Sequence, residues 1–363
     1  MKTMQPIRLY RLAALLLVLP LWAMQAQAQQ LETVRVGEGD KAVSPVFINM
    51  VVPEYLGYYK AEGVSVQVIP TGSQAAALAG VADGRLEVGA GTAGFGLQRL
   101  ANDGTLPGKF FFENAYPFRY GVVVKPDSPY QTLVDLKGKT IGVSSFGITV
   151  YPVVKGWFKL VGLDPDNDVK WLAVGEGATA GYALDRSDID ALAYYDTGFG
   201  QVEAAGIKIR YLPIPADAPR IGGAFFYATP AYIKEHRKTL IGFARAVLKA
   251  EVFIQTNPEA AAYIYATLYP GAVPQGVPIQ DQVNAVLVSI AKVAPSFTPY
   301  DKSAKWGFIK ESELNSEIQF YNLGDKINDP KVVYTNDLIN PINDFDWNKV
   351  KAEASNFKLP YKQ

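Results

Sequence analysis

Six hydroxyl residues, Ser44, Ser73, Thr92, Ser144, Ser145 and Thr149, stand at or near segments that read as helix starts. The first N–H groups of a helix have no partner within it, so such positions offer donors to a carboxylate, sulfonate or phosphate. Ala93, next to Thr92, belongs to the same backbone set. Gln74, also at a helix start, adds an amide that both donates and accepts. Phe47, Phe146 and Tyr195 are suited to wall a cleft and stack on a flat ligand. Glu176 and Asp196 supply acceptors for an amine or a ring N–H, and Arg119 a bidentate partner for an anion. Each alone fits a plainer role as a cap, a packing ring or a solvated charge. Together they converge.

Catalytic constellations are poor. His236 is the only histidine in 363 residues and sits in the charged stretch 233–238, so neither a Ser-His-Asp triad nor a His-rich metal site can be assembled. The chain has no Cys, which removes disulfides, thiolate nucleophiles and sulfur metal sites. Gly89-Ala90-Gly91-Thr92-Ala93-Gly94 matches the dinucleotide fingerprint, with Glu113 about 20 residues on. It follows the third strand of its region, where the fingerprint belongs after the first. A nucleotide-dependent oxidoreductase is therefore the alternative, and neither enzymatic activity nor a cofactor is the expectation.

The elements that must position these residues occur twice, about 103 residues apart. Tyr59-Lys60-Ala61-Glu62-Gly63-Val64 answers to Phe158-Lys159-Leu160-Val161-Gly162-Leu163. Gly72-Ser73-Gln74-Ala75 matches Gly175-Glu176-Gly177-Ala178, and Gly84-Arg85-Leu86-Glu87-Val88 matches Ser187-Asp188-Ile189-Asp190-Ala191. Ordered landmarks of this kind indicate one βαβ plan built twice. The pattern predicts a helix over 46–60, strands at 64–69, 87–91, 110–112 and 120–125 in the first lobe, and strands at 140–143, 169–172, 191–195 and 209–212 in the second. Crossings between lobes are expected at 121–125 and 222–227, a two-strand hinge able to close on a ligand. In open parallel sheets ligands bind beyond the carboxyl ends of the strands. Here that selects loops 40–47, 71–74, 91–93, 144–149, 175–177 and 195–197.

Residues 1–28 read as an export signal, with Lys2, Arg8 and Arg11 ahead of an apolar stretch at 12–24 and a small-x-small site at Ala26-Gln27-Ala28. No Cys follows for lipid attachment. Lobe one is assigned 29–122 and 223–363, the latter carrying a C-terminal helical cover, and lobe two 123–222. Without the three basic residues of the leader, 32 of the 35 basic residues remain against 35 acidic ones. A slightly acidic surface does not favour nucleic acid.

Asp135-Leu136-Lys137-Gly138-Lys139-Thr140-Ile141-Gly142-Val143 resembles the passage into the second lobe of the substrate-binding proteins of nitrate, sulfonate, taurine and thiamine-precursor ABC importers. Pro53-Glu54-Tyr55-Leu56-Gly57-Tyr58-Tyr59-Lys60-Ala61-Glu62-Gly63-Val64 is similar to the same family's helix-to-strand passage, as are Leu86-Glu87-Val88-Gly89 and Ile189-Asp190-Ala191 to its later strand starts. The resemblance implies an α/β, two-lobe periplasmic binding protein fold (type II-like), each lobe a mainly parallel sheet flanked by helices. It further implies a monomer that closes on a small solute and passes it to an ABC permease and its ATPase. The donors above favour an anionic solute and the rings an aromatic one. A ligand-sensing protein serving a membrane receptor would share all these features.

Overall fold

The computed structural model describes residues 31–116, 120–221 and 223–362. The expected leader and Arg119 lie outside the described residues. The chain begins with strand β1 (Glu32–Glu38), a single 3-10 turn (Pro45–Phe47), helices α1 (Ile48–Tyr55) and α2 (Tyr58–Ala61), and strand β2 (Val64–Pro70). Helix α3 (Gln74–Ala82), strand β3 (Val88–Thr92), helix α4 (Ala93–Asp103) and strand β4 (Lys109–Ala115) follow. The single helix expected over 46–60 is broken in two. Pro53 sits inside α1, and Gly57 turns left-handed at φ 72° between α1 and α2.

A second series runs through β5 (Tyr120–Val124), β6 (Thr140–Val143), α5 (Val150–Leu160) and β7 (Lys170–Ala173). It ends with α6 (Ala178–Asp185), β8 (Ala191–Tyr195), α7 (Asp196–Ala204) and β9 (Arg210–Tyr211). The chain then returns through β10 (Ala224–Ala228) into α8 (Pro230–Glu235), α9 (Arg237–Thr256), α10 (Pro258–Leu268) and α11 (Ile279–Val293). Helices α12 (Glu311–Phe320), α13 (Ile339–Ile342) and α14 (Trp347–Asn356) complete the cover. Thr229 caps α8 by accepting from the Tyr232 N–H at 3.1 Å, ahead of Pro230 at the first helical position.

Two five-stranded sheets result, ordered β2-β1-β3-β10-β4 and β7-β6-β8-β5-β9. In each, four strands point one way and the odd strand, β10 or β5, runs against them. The odd strand is the one delivered by a crossing. This corrects the expected lobe boundary at 122/123, which falls inside β5. That strand pairs only with β8 and β9, so all of it belongs to the second sheet.

The repeat is visible in backbone angles. Gly63 and Gly162 have φ of 79° and 81°, Gly72 and Gly175 have 77° and 83°, and Gly84 is matched by Ser187 at 76° and 64°. These turns need left-handed backbone, which glycine adopts without a steric cost. The acidic landmark has one job in both copies. Glu87 Oε2 accepts from Arg35 N at 2.7 Å, and Asp190 Oδ2 accepts from Thr140 N at 2.9 Å, tying down the backbone of β1 and of β6 respectively.

Both faces of both sheets are covered by apolar side chains. At the centre of lobe one, Phe226 on β10 is fully buried, with ring centroids 6.0 Å from Phe112 and 4.9 Å from Phe243. The C-terminal cover also reaches lobe two. Ser289 on α11 donates to the Thr197 carbonyl at 3.4 Å, Lys292 pairs with Glu203 at 2.7 Å, and a Cβ at Gly200 would collide with the Ser289 backbone. Phe320 and Tyr321, at the end of α12, pack against the second lobe's core. Among the described residues no helix is long and apolar enough to cross a membrane.

Candidate functional site

The carboxyl ends of β1, β3 and β4 and of β8 face one cleft, enclosing about 1000 Å³ when its mouth is counted. Eight of the residues expected at the site line it: Phe47, Ser73, Gln74 and Thr92 from lobe one, and Ser145, Thr149, Glu176 and Tyr195 from lobe two.

Whether the hydroxyls are more than caps is decided case by case. Ser73 is a cap, its Oγ accepting from the Ala76 N–H at 3.1 Å. Thr92 and Thr149 occupy the capping positions of α4 and α5 yet make no side-chain cap. Their hydroxyls lie 2.9 Å apart across the cleft. Gln74 joins them, donating from Nε2 to Thr149 Oγ1 at 2.9 Å while its Oε1 accepts from Thr92 Oγ1 at 3.2 Å and from Thr92 N at 3.4 Å. This trio ties the lobes together at the cleft floor. Because all three groups are polar and largely removed from water, separating them without a replacement leaves donors and acceptors unpaired.

Tyr195 is buried at the cleft, and burial first, then the fields of Tyr194, Asp40 and Glu176, push its phenol well above the usual range. It therefore presents an O–H and not a phenolate. Its neighbour Tyr194 accepts from the Gly177 N–H at 2.7 Å and so fixes the start of α6.

Five expected residues do not line the cleft. Ser44 precedes the 3-10 turn with its Oγ buried and unpartnered. Ala93, the first residue of α4, is fully buried in the apolar layer of Leu97 and Phe110. Ser144 is buried, one residue short of the lining Ser145. Phe146 is 53% exposed and lies against Tyr151 at 5.2 Å, on the outer surface of the loop. Asp196 turns back onto its own helix start, accepting from the Thr197 N–H at 2.7 Å.

The residues missed are as informative. Glu38 and Gly39 extend the first loop backwards onto the end of β1, Asp40 and Lys41 lie within that loop, Asn114 is next to last in β4, and Tyr120 begins β5. Asn114 obeys the same strand-end rule that found the other loops. Tyr120 is signalled only by the antiparallel placing of β5.

Gly89 and Gly94 of the fingerprint serve packing, while Gly91 lines the cleft. A Cβ at Gly89 would overlap the Tyr227 ring and one at Gly94 would meet Tyr321 and Glu317, while Glu113 is 1% exposed inside the sheet and cannot reach a ribose. His236 lies away from the cleft, its Nδ1 2.5 Å from Glu32 Oε1.

Among solved structures, one from Bordetella bronchiseptica RB50 is 24% identical, with a TM-score of 0.65 over 86% of this chain and 98% of that one. The periplasmic aliphatic sulphonate binding protein SsuA of Escherichia coli is 16% identical, with a TM-score of 0.61 over 88% and 99%. The desulfurization enzyme DSZB is 13% identical, with a TM-score of 0.56 over 86% and 98%. These likenesses establish the two-lobe periplasmic binding protein fold. No curated protein matches the chain. The family model described as NMT1/THI5 like matches residues 44–261. Since that match spans more than half of the sequence, the chain belongs to the NMT1/THI5-like family.

Proposed function

We propose that this chain, exported after loss of its leader, captures a small organic solute between its lobes and delivers it to an ABC permease and its ATPase. One observation carries the reading: loops from both lobes line a single cleft and are hydrogen-bonded across it at Thr149. A solute in that space touches both lobes only when they are closed, so binding favours the closed form by its differential contacts. The closed surface is then what a permease recognises. The SsuA neighbour, named for binding aliphatic sulphonates, supports a capture role. The desulfurization enzyme shows that the same fold also hosts catalysis, so fold alone does not choose between them. The side chains do. This chain has no cysteine, and its one histidine is not among the cleft residues.

The test is a thermal-shift screen of small metabolites on the full mature chain and on a Ser145→Trp variant. Ser145 is exposed at the cleft wall, so an indole there fills the binding space without disturbing the core. Binding at 100 times Kd stabilises by about 2.7 kcal/mol, a readily measured rise in Tm. The expected result is solutes that raise the Tm of the wild type and leave the variant unmoved. A screen in which no solute does so overturns the proposal.

A further inference from the structure

Beside the cleft lies a second, narrower cavity of about 250 Å³ with its opening counted. Gln74, Gly91 and Thr92 line both spaces, so the two adjoin at the trio that ties the lobes. Beyond the trio this annex is walled by the side chains of Leu78, Phe95, Leu106, Phe110 and Tyr227. A water there would need two to four polar partners, whereas Gln74 and Thr92 are already bonded to each other and to Thr149. The annex thus favours carbon over water. Its walls also resist collapse. The Phe110 ring is held 5.1 Å from Phe225 and 6.1 Å from Tyr227, and a Cβ at Gly96 on α4 would stand 2.7 Å from its Cζ. Tyr227 is hemmed in by Gly108, whose Cβ would lie 2.9 Å from Cδ2 of the ring. Rigid apolar walls facing a gap forgo dispersion contacts, which an entering carbon chain restores.

We propose that the annex is a subsite for a short alkyl arm of the captured solute, methyl to propyl in size, which enters between Gln74 and Tyr227. This rests on the capture reading and adds a part of the solute that the polar groups of the cleft do not recognise. Gly91 marks the entrance. A Cβ there would stand 3.3 Å from Gln74 Oε1 and 3.5 Å from Tyr227 Cε1, so any side chain at 91 would narrow the gap between them. Gln74 is the flap. Its Nε2 donates to Thr149 on lobe two, so opening the lobes removes that bond and leaves the amide held by Thr92 alone, free to swing aside. Closing restores the bond over the arm. Filling the annex and shutting the cleft therefore favour one another.

Xenon tests the annex without any solute, since it fills apolar cavities that water leaves empty. Crystals of the full mature chain under xenon pressure should hold an atom among Leu78, Leu106 and Phe110, and Leu106→Phe should exclude it. No xenon there overturns the subsite. The arm is tested by titration calorimetry with solutes from the thermal screen that are lost in Ser145→Trp, each compared with its methyl, ethyl, propyl and butyl homologues. Affinity should rise about fourfold per added methylene until the annex is full, then fall. Leu106→Phe should move the preferred arm to a shorter one and Leu106→Ala to a longer one, a shift that a loss of stability alone does not produce. Affinities that never rise with the arm, or a preference unmoved by both substitutions, overturn the subsite and leave capture standing. An empty screen overturns capture itself, and the arm with it.

Discussion

At the residue scale, the division between caps and cross-lobe contacts explains what the sequence could and could not show. A Ser or Thr before a helix looks the same whether its hydroxyl turns back to the helix or outward, because both need a small polar side chain at one position. Ser73 turned back, while Thr92 and Thr149 turned outward. Ser144 and Ser145 differ only in which side of one loop they occupy, Ser144 buried and Ser145 at the cleft. Loops were therefore legible and individual side chains less so. Replacing Thr149 by Val keeps the volume but leaves Gln74 Nε2 without its acceptor. Affinity for a captured solute should fall about tenfold, in line with about 1–2 kcal/mol for the unpaired groups, with little change in Tm of the unliganded protein. Titration of wild type and variant with one solute checks this.

Glu113 offers a pH test on the same scale. Burial first, and then Glu313 and Glu317, hold its carboxyl well above the ordinary value of 4.5. The unfolded chain thus ionises this group before the native one does. Above that ordinary value the native state binds more protons, so stability falls as pH rises. Denaturant melts from pH 5 to 8 should show a steeper loss for the wild type than for Glu113→Gln. Parallel slopes would show that the carboxyl is already ionised in the fold.

At the scale of elements, the duplication was legible because its landmarks are backbone requirements. Left-handed turns at 63, 72 and 84 recur at 162, 175 and 187, and the acidic clamp at Glu87 recurs at Asp190. The placing of β5 was not legible. A short apolar run fits either sheet, and only pairing with β8 and β9 distinguishes them. Nor was the reach of the cover into lobe two. Gly200 reads in sequence as an unremarked small residue of α7, yet α11 packs so closely there that no side chain fits. Gly200→Val should wedge α7 from α11, costing about 1–3 kcal/mol as overpacking does, and weaken solute binding by favouring separated lobes. Paired denaturation and titration measure both effects. A stability loss with affinity unchanged would mean that α11 supports lobe two without taking part in closure.

For the whole molecule, two sheets joined by crossings, two bridging helices and a hydrogen-bonded cleft match the closed form that the proposed capture requires. The edge strands β2 and β7 lie farthest in strand order from the crossing strands β10 and β5, so closure moves them most. The absence of native cysteine allows dyes to be attached cleanly at Gln67→Cys on β2 and Lys170→Cys on β7, both exposed. Single-molecule energy transfer between them reads the gap between lobes directly. Two exchanging populations are expected without solute, collapsing to the short-distance one when a solute that raises Tm is added. A single distance, unmoved by a solute that demonstrably binds, would contradict capture by closure.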